Sequence, residues 1–317
     1  MFFSFKTGLC NPDRACIFWA NAHMSKIRLI PDPRYFQIIF QLLFLSYGIF
    51  FLEWIADWVH YAMSIGGCLL FNYSAESLRQ KRFMSLYGKG GWKSWGLSVL
   101  ISALSLCLLL KSNHWYTSLL AAFLTVFSKY IFRIGKKHVF NPSAFGIIST
   151  MMITGDAWLS PGQWGTGVLL FFLIITLGTI VVTRVQKLDT SLGFLLTYAS
   201  LLYWRQVYQL GWPLDYFIHS VSSGTLLLFS FFMISDPKTS PDHAIARIVW
   251  SVGVAATAFF FAAFEWKYNT PIWVLVAAAP LVPLLDKIFK AKSFAWPSAM
   301  NHLHILSKLK KNNHEIS

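Results

Sequence analysis

Between residues 35 and 286 ten apolar runs follow one another with only short polar strips between them, at about 35–53, 56–72, 95–110, 115–132, 140–154, 164–183, 190–204, 216–234, 246–264 and 270–286. Few folds accept such a pattern. A helix of about twenty residues crosses a hydrocarbon core of about 30 Å, and in lipid the backbone must satisfy its own hydrogen bonds. The expected fold is an all-α polytopic membrane protein with about ten transmembrane helices. Composition agrees: 56% of residues are apolar and 13% charged, with a mean hydropathy of +0.52, against about a quarter charged in soluble domains. The net charge of +14 does not indicate nucleic acid, which needs a basic patch on a folded soluble face. The basic residues lie in the strips between runs, so the expected partner is the lipid bilayer, with no nucleic acid.

Those strips also give a topology. Of the 27 Lys and Arg, 24 fall on the side that carries the N-terminus, and only Lys111, Arg205 and Lys267 fall opposite. Positive residues mark the cytoplasmic side, so both termini are expected in the cytoplasm of a bacterium, with the chain multi-pass in its inner membrane. Residues 1–34 read as an N-terminal cytoplasmic segment without signal-peptide architecture. Within it Met24 opens MSKIRLIPDPRYFQ and is an alternative start. Residues 35–286 form the membrane domain and 287–317 a basic tail suited to anionic lipid. Cys68 and Cys107 sit inside apolar runs as small hydrophobes; Cys10 and Cys16 are too far apart for a usual zinc pair.

Ten runs divide into five plus five, and an odd-numbered unit repeated returns inverted. The repeats are expected at about 35–158 and 164–286. The third run (SVLISALSLCLLL) and the eighth (SSGTLLLFSFFMI) share a hydroxyl-rich head and a leucine-rich tail, and the fifth and tenth are both marked by proline. Inverted repeats with interrupted helices in matching places put binding sites near the midplane.

Residues 219–241, HSVSSGTLLLFSFFMISDPKTSP, carry the sharpest candidate site. The apolar tail is too short to span, so Ser222, Ser223, Gly224 and Thr225 must lie at membrane depth, which requires a protein-lined or watery cavity. Gly224 is the position where unusual backbone geometry costs least. Asn141-Pro142 is the second landmark, since Asn at a cap and Pro at the first turn start a helix. Its free N–H groups either serve only that start or point at an anion or a flavin's polar edge. Gly146, one turn on, permits close helix packing. Asn141, Pro142, Gly146 and residues 222–225 are expected to line one cofactor cavity. Asp236 with Thr239, at the end of the broken helix, either binds an ion or caps the following turn.

Four of these motifs, in order, carry a resemblance. KHVFNPSAFG, Leu188-Asp189-Thr190-Ser191, the 219–241 stretch and Pro283-Leu284-Leu285-Asp286 resemble the NqrB/RnfD family, membrane subunits of ion-pumping, electron-transferring complexes. The opening Asp32-Pro33-Arg34-Tyr35-Phe36-Gln37 is similar to the short UnbU branch found with enediyne biosynthesis genes. The resemblance implies electron transfer with redox partner subunits and a flavin. Respiratory members esterify FMN to a threonine in the loop after the fifth helix. Here that loop reads Asp156-Ala157-Trp158-Leu159-Ser160-Pro161-Gly162-Gln163, and the attachment threonine is missing. Covalent FMN is therefore not expected, and any flavin, FMN or riboflavin, is non-covalent. With no soluble domain, nucleotide motif or metal-cysteine cluster, the chain is at most one subunit of an oxidoreductase. The alternative class is a transporter or channel-like module for a small polar solute.

Weaker patterns read as structure. Residues 88–94 (GKGGWKS) lack the strand and glycine of a phosphate loop. Glu53, Asp57 and Glu265 read as solvated loop acids, His302 and His304 as part of the basic tail, and Trp158 and its neighbours as interface anchors.

Overall fold

The computed structural model describes residues 32–54, 56–80, 92–135, 137–159 and 168–294. The expectations for residues 1–31, the 88–91 part of the glycine-rich loop, the 160–163 loop and the histidine-bearing tail lie outside them. In chain order the elements are α1 (Pro33–Phe50), α2 (Trp58–Gln80), α3 (Trp92–Leu109), β1 (Leu110–Ser112), α4 (Trp115–Ile131), β2 (Arg133–Ile134), β3 (Lys137–His138), α5 (Pro142–Thr154), β4 (Ala157–Leu159), α6 (Val168–Val185), α7 (Leu188–Tyr203), α8 (Leu214–Val221), α9 (Gly224–Leu228), α10 (Ala244–Ala263), α11 (Thr270–Ala278) and α12 (Leu281–Ile288). Wider π turns extend α7 over Trp204–Gln209 and α9 over Phe229–Met233. The strands make two small antiparallel ribbons, β1 with β4 and β2 with β3; no closed sheet exists among the described residues.

Among the described residues one helix, Ala244–Ala263, is by itself long and apolar enough to cross a membrane. Two bent pairs pass together: Leu214–Val221 with Gly224–Met233 at 45°, and Thr270–Ala278 with Leu281–Ile288 at 55°. Phe44, Leu104, Leu106, Ile147, Phe194, Leu227 and Ile272 are fully buried between helices, while Leu70, Ile153, Phe172, Leu196 and Phe260 are exposed on their outer faces. So many large apolar side chains facing outward suit an apolar surrounding rather than water.

The packing has an order. α2 lies along α4, both starting at one end of the bundle, where His60 meets Ser118, and running to the other, where Asn72 meets Lys129. α7 lies along α10, both starting at that second end, where Asp189 meets Arg247. In each half the first helix also packs on the third and the fourth on the fifth. Small residues set the closest approaches. A side chain on Gly146 would strike Thr125 and come within 3.0 Å of the Ala121 carbonyl, and one on Gly67 would come within 3.0 Å of Ala122 Cβ.

The interruptions are not matched between the halves. The eighth run is broken at Ser222–Ser223, whereas the third is one unbroken helix. Its hydroxyls are absorbed locally: Ser102 and Ser105 donate to the carbonyls of Ser98 and Ile101, and Gln41 Nε2 donates to Ser105 Oγ at 2.9 Å. Spaced serines can bond back along a helix; the consecutive Ser222-Ser223-Gly224 cannot all do so. The tenth run breaks at Pro280, which lacks the N–H that would continue the ladder; the fifth is continuous.

Candidate functional site

The break in the eighth run opens onto a cavity of about 410 Å³ at the end of the bundle where α8 begins. Ser223 and Thr225 line its floor with Tyr198, Leu226 and Phe229. The wall is formed by Arg205, Gln206 and Tyr216 on one side and Lys267, Asn269 and Thr270 on the other. Two helix starts converge here, α9 after Ser223 and α11 after Asn269. Among the described residues Arg205 and Lys267 are the only charged ones in the lining, and the partial positive charge of helix starts has the same sign. Arg205 is held over the Phe264 ring at 5.0 Å and donates to Gln209 Oε1 at 2.9 Å. Gln206 Nε2 donates to Ser220 Oγ at 3.3 Å. Two lining atoms are buried without a hydrogen-bond partner, Thr225 Oγ1 and Gln206 Oε1. Burying an unpaired polar atom costs about 1–3 kcal/mol. The mouth turn holds Trp266 and Asn269 at φ 53° and 56°, a left-handed conformation unfavourable for a bulky side chain.

Asn141 does not share this cavity, contrary to expectation. Its Oδ1 accepts from Ala144 N at 3.3 Å and Ser143 Oγ at 2.9 Å, and its Nδ2 donates to the Met233 carbonyl at 3.2 Å. It pins the start of α5 to the far end of the broken run. Pro142 occupies the first turn, and Gly146 serves helix contact with α4. Gly224 opens α9 without a positive φ; among the described glycines that conformation belongs to Gly135, Gly155 and Gly211.

Around Asn141 the opposite end is an ionic lattice. Lys137 Nζ bonds Asp286 Oδ2 at 2.7 Å and the Ser240 carbonyl at 2.6 Å, and lies 3.3 Å from Asp242. Arg247 chelates Asp189 and donates to the Asp242 carbonyl at 2.6 Å. Lys187 donates to the Pro241 carbonyl at 2.7 Å, and burial followed by the nearby Arg247 and Lys137 pulls its ammonium down to about 8. Asp236 caps its turn: Oδ1 accepts from Lys238 N at 3.0 Å and Oδ2 from Thr239 Oγ1 at 3.2 Å. Burial raises its carboxyl pKa against the lowering effect of those bonds. At the cavity end of the bundle Asp156 ties β4 to β1 and α4, accepting from Thr117 Oγ1 at 2.7 Å and Asn113 Nδ2 at 2.8 Å, with His114 Nδ1 at 3.0 Å. Those bonds, Thr117 first, pull its carboxyl down to about 2.

Sequence reasoning missed both the cationic cavity wall and the lattice. The signal was present for Arg205 and Lys267, two of the three basic residues on the sparsely basic side. It was absent for Lys137, whose acidic partners lie far along the chain.

Two comparisons bear on this geometry. Residues 149–295 match the model of the NQR2, RnfD, RnfE family, a stretch that includes the cavity residues and, apart from Lys137 and Asn141, the lattice. A protein of Stutzerimonas stutzeri that belongs to an ion-translocating oxidoreductase complex is 26% identical over 129 residues, 38% of this chain and 35% of that protein. The chain thus spans about a third of the length of the relative it matches.

Proposed function

We propose, from the match of residues 149–295 to the NQR2, RnfD, RnfE family and the geometry above, that the chain is a member of that family and a partner-dependent, ion-coupled electron-transfer subunit in a bacterial inner membrane. In this reading the ten runs are ten crossings in two inverted five-helix halves, of the short UnbU-like kind, with both termini cytoplasmic. Three facts support the topology. α2 with α4 and α7 with α10 start at opposite ends of the bundle, Arg133, Lys137, Lys187, Lys238 and Arg247 gather at one end, and Lys111, Arg205 and Lys267 lie at the other.

The observation that carries the site is a cavity whose charged lining residues are all cationic and whose lining includes Thr225, a residue with a buried, unpartnered hydroxyl. A non-covalent flavin fits that lining, and when bound it supplies one- and two-electron transfer. Thr225 Oγ1 and Gln206 Oε1 would pair with its polar edge, Arg205 and Lys267 would balance its negative charge, and Tyr216 and Trp212 would cover its ring. A cavity of this volume is within the usual range for such ligands, about 300–1,000 Å³. Among the described residues no group of His, Cys, Asp and Glu could hold a metal ion; in this reading electrons arrive from and leave to partner proteins.

The test is optical. Purified from cells supplied with riboflavin, the protein is expected to show a flavin absorption band, to release the flavin on denaturation, and to show no fluorescent band on a denaturing gel. A fluorescent band would mean covalent attachment elsewhere in the chain; a colourless protein would sink the redox reading and favour a carrier of small polar solutes.

A further inference from the structure

The seam between α2 and α4 holds polar groups along its whole length. On α2, His60, Ser64, Cys68, Asn72 and Glu76 recur every fourth residue, which stacks each about one turn above the last in a stripe that winds slowly round the helix. The first four are at most 1% exposed. Sixteen residues of helix cover about 24 Å, most of a hydrocarbon core of about 30 Å. At the cavity end of the bundle, Ser112 Oγ meets Ser118 Oγ at 2.8 Å, and Ser118 Oγ meets His60 Nδ1 at 2.6 Å. At the ionic end, Asn72 Oδ1 accepts from Lys129 Nζ and Tyr130 OH, both at 3.1 Å, and Tyr130 OH also reaches Glu76 Oε2 at 3.1 Å. Between them the helices close at a narrow waist, where Gly67 abuts Ala122 and Cys68 Sγ points to the Ala122 carbonyl at 3.9 Å.

Packing does not require this. In the other long pair, α7 with α10, the buried residues beyond Thr190, Ser191 and Ser251 are apolar or aromatic, Phe194, Tyr198 and Leu202 on α7 and Val254, Ala255, Ala258 and Phe259 on α10. Ionisable side chains at membrane depth are costly and usually functional. The α2 groups are also incompletely paired, since His60 Nε2, Ser64 Oγ and Asn72 Nδ2 have no hydrogen-bond partner. A histidine bonded through one nitrogen to a hydroxyl, with backbone carbonyls near its ring, can take a proton on one nitrogen and release it from the other. His60 is faced by Asp57, Lys111, the Tyr61 ring and the carbonyls of Leu106 and Leu110, so its surroundings include both charge signs.

We propose that the α2–α4 seam is a proton path through the protein, entered at Ser112, Ser118 and His60, narrowed at Cys68, and completed by Asn72, Lys129, Tyr130 and Glu76. The path is independent of the electron-transfer reading, since it uses no cavity residue and no cofactor.

The test uses the full chain in liposomes enclosing a pH-sensitive dye, with a valinomycin-set potassium potential and no redox donor. Wild type is expected to take up protons severalfold faster than protein-free liposomes. Ser64→Val and Asn72→Leu should fall to the protein-free rate, and Leu70→Val, on the exposed side of α2, should match wild type. Silver ion, small enough to follow water to the Cys68 thiol, should stop uptake in wild type and leave Cys68→Ala unaffected, a readout on protein already shown to be folded and active. Wild-type uptake no faster than protein-free liposomes, full uptake by Ser64→Val and Asn72→Leu, block of Cys68→Ala by silver, or flux carried by sodium in place of protons would each overturn the proposal.

Discussion

Two helix starts, read from the sequence as parts of one site, have opposite fates. At Asn141 every side-chain hydrogen-bonding atom is used, two bonds closing the first turn of α5 and one reaching the Met233 carbonyl. At Ser223 to Thr225 the helix also starts, but the Thr225 hydroxyl is buried and unpaired, on a residue that lines a cavity. Both carry the residues of a helix start, so a small polar residue before an apolar run is not by itself a binding signal. What distinguishes them is whether the rest of the fold supplies the missing partner. The satisfied start belongs to an ion-paired end and the unsatisfied one to an open cavity. In the function proposed above, the first part stabilises the molecule and the second binds.

That division can be broken by substitution. Lys137→Met should have the largest effect. Its ammonium stands between Asp242 and Asp286, with side-chain exposures of 14%, 7% and 19% respectively, and removing it leaves two carboxylates facing each other. Removing one partner of such a group costs about 3–5 kcal/mol when fully buried, and about 3 kcal/mol is expected here. Unfolding in detergent followed by tryptophan fluorescence should show the loss, and Asp286→Asn in the same chain should restore part of it. A Lys137→Met protein as stable as wild type would mean the lattice is solvated and not structural.

Asn141→Ala should cost less, about 2 kcal/mol, from a lost helix cap and a buried carbonyl left unpaired at Met233. Flavin content of the purified protein should not change, because Asn141 lies outside the cavity. If flavin content falls while stability holds, the two helix starts do share a site and the contrast between them fails.

Thr225→Val should move stability least and in the opposite direction, raising it by about 1 kcal/mol, since it removes a buried hydroxyl that has no partner. Its effect should appear in binding. Loss of one ligand hydrogen bond of about 1 kcal/mol weakens affinity about fivefold, which titration of the apoprotein with riboflavin or FMN would measure. Unchanged affinity together with lost stability would show that Thr225 is a packing residue.

Much of this was legible from sequence alone, for local reasons. Apolar runs, the basic strips between them, the Asn141-Pro142 helix start and the break at Ser222-Ser223-Gly224 depend on neighbours a few residues apart, and the structure has a helix in each run. The break in the eighth run was readable because consecutive small polar residues cannot all be absorbed by one helix. Its absence from the third run was not, because whether spaced serines bond back depends on partners such as Gln41, 64 residues from Ser105.

The sequence by itself determined the membrane class, the segment positions and the family resemblance, because hydropathy, proline and glycine act within a turn or two. Only the tertiary structure decided which polar groups are satisfied. Lys137 finds Asp286 across 149 residues and Asn141 finds Met233 across 92, while Thr225 finds no partner. Hydrogen bonds and ion pairs act over a few ångströms in space, whatever the distance along the chain.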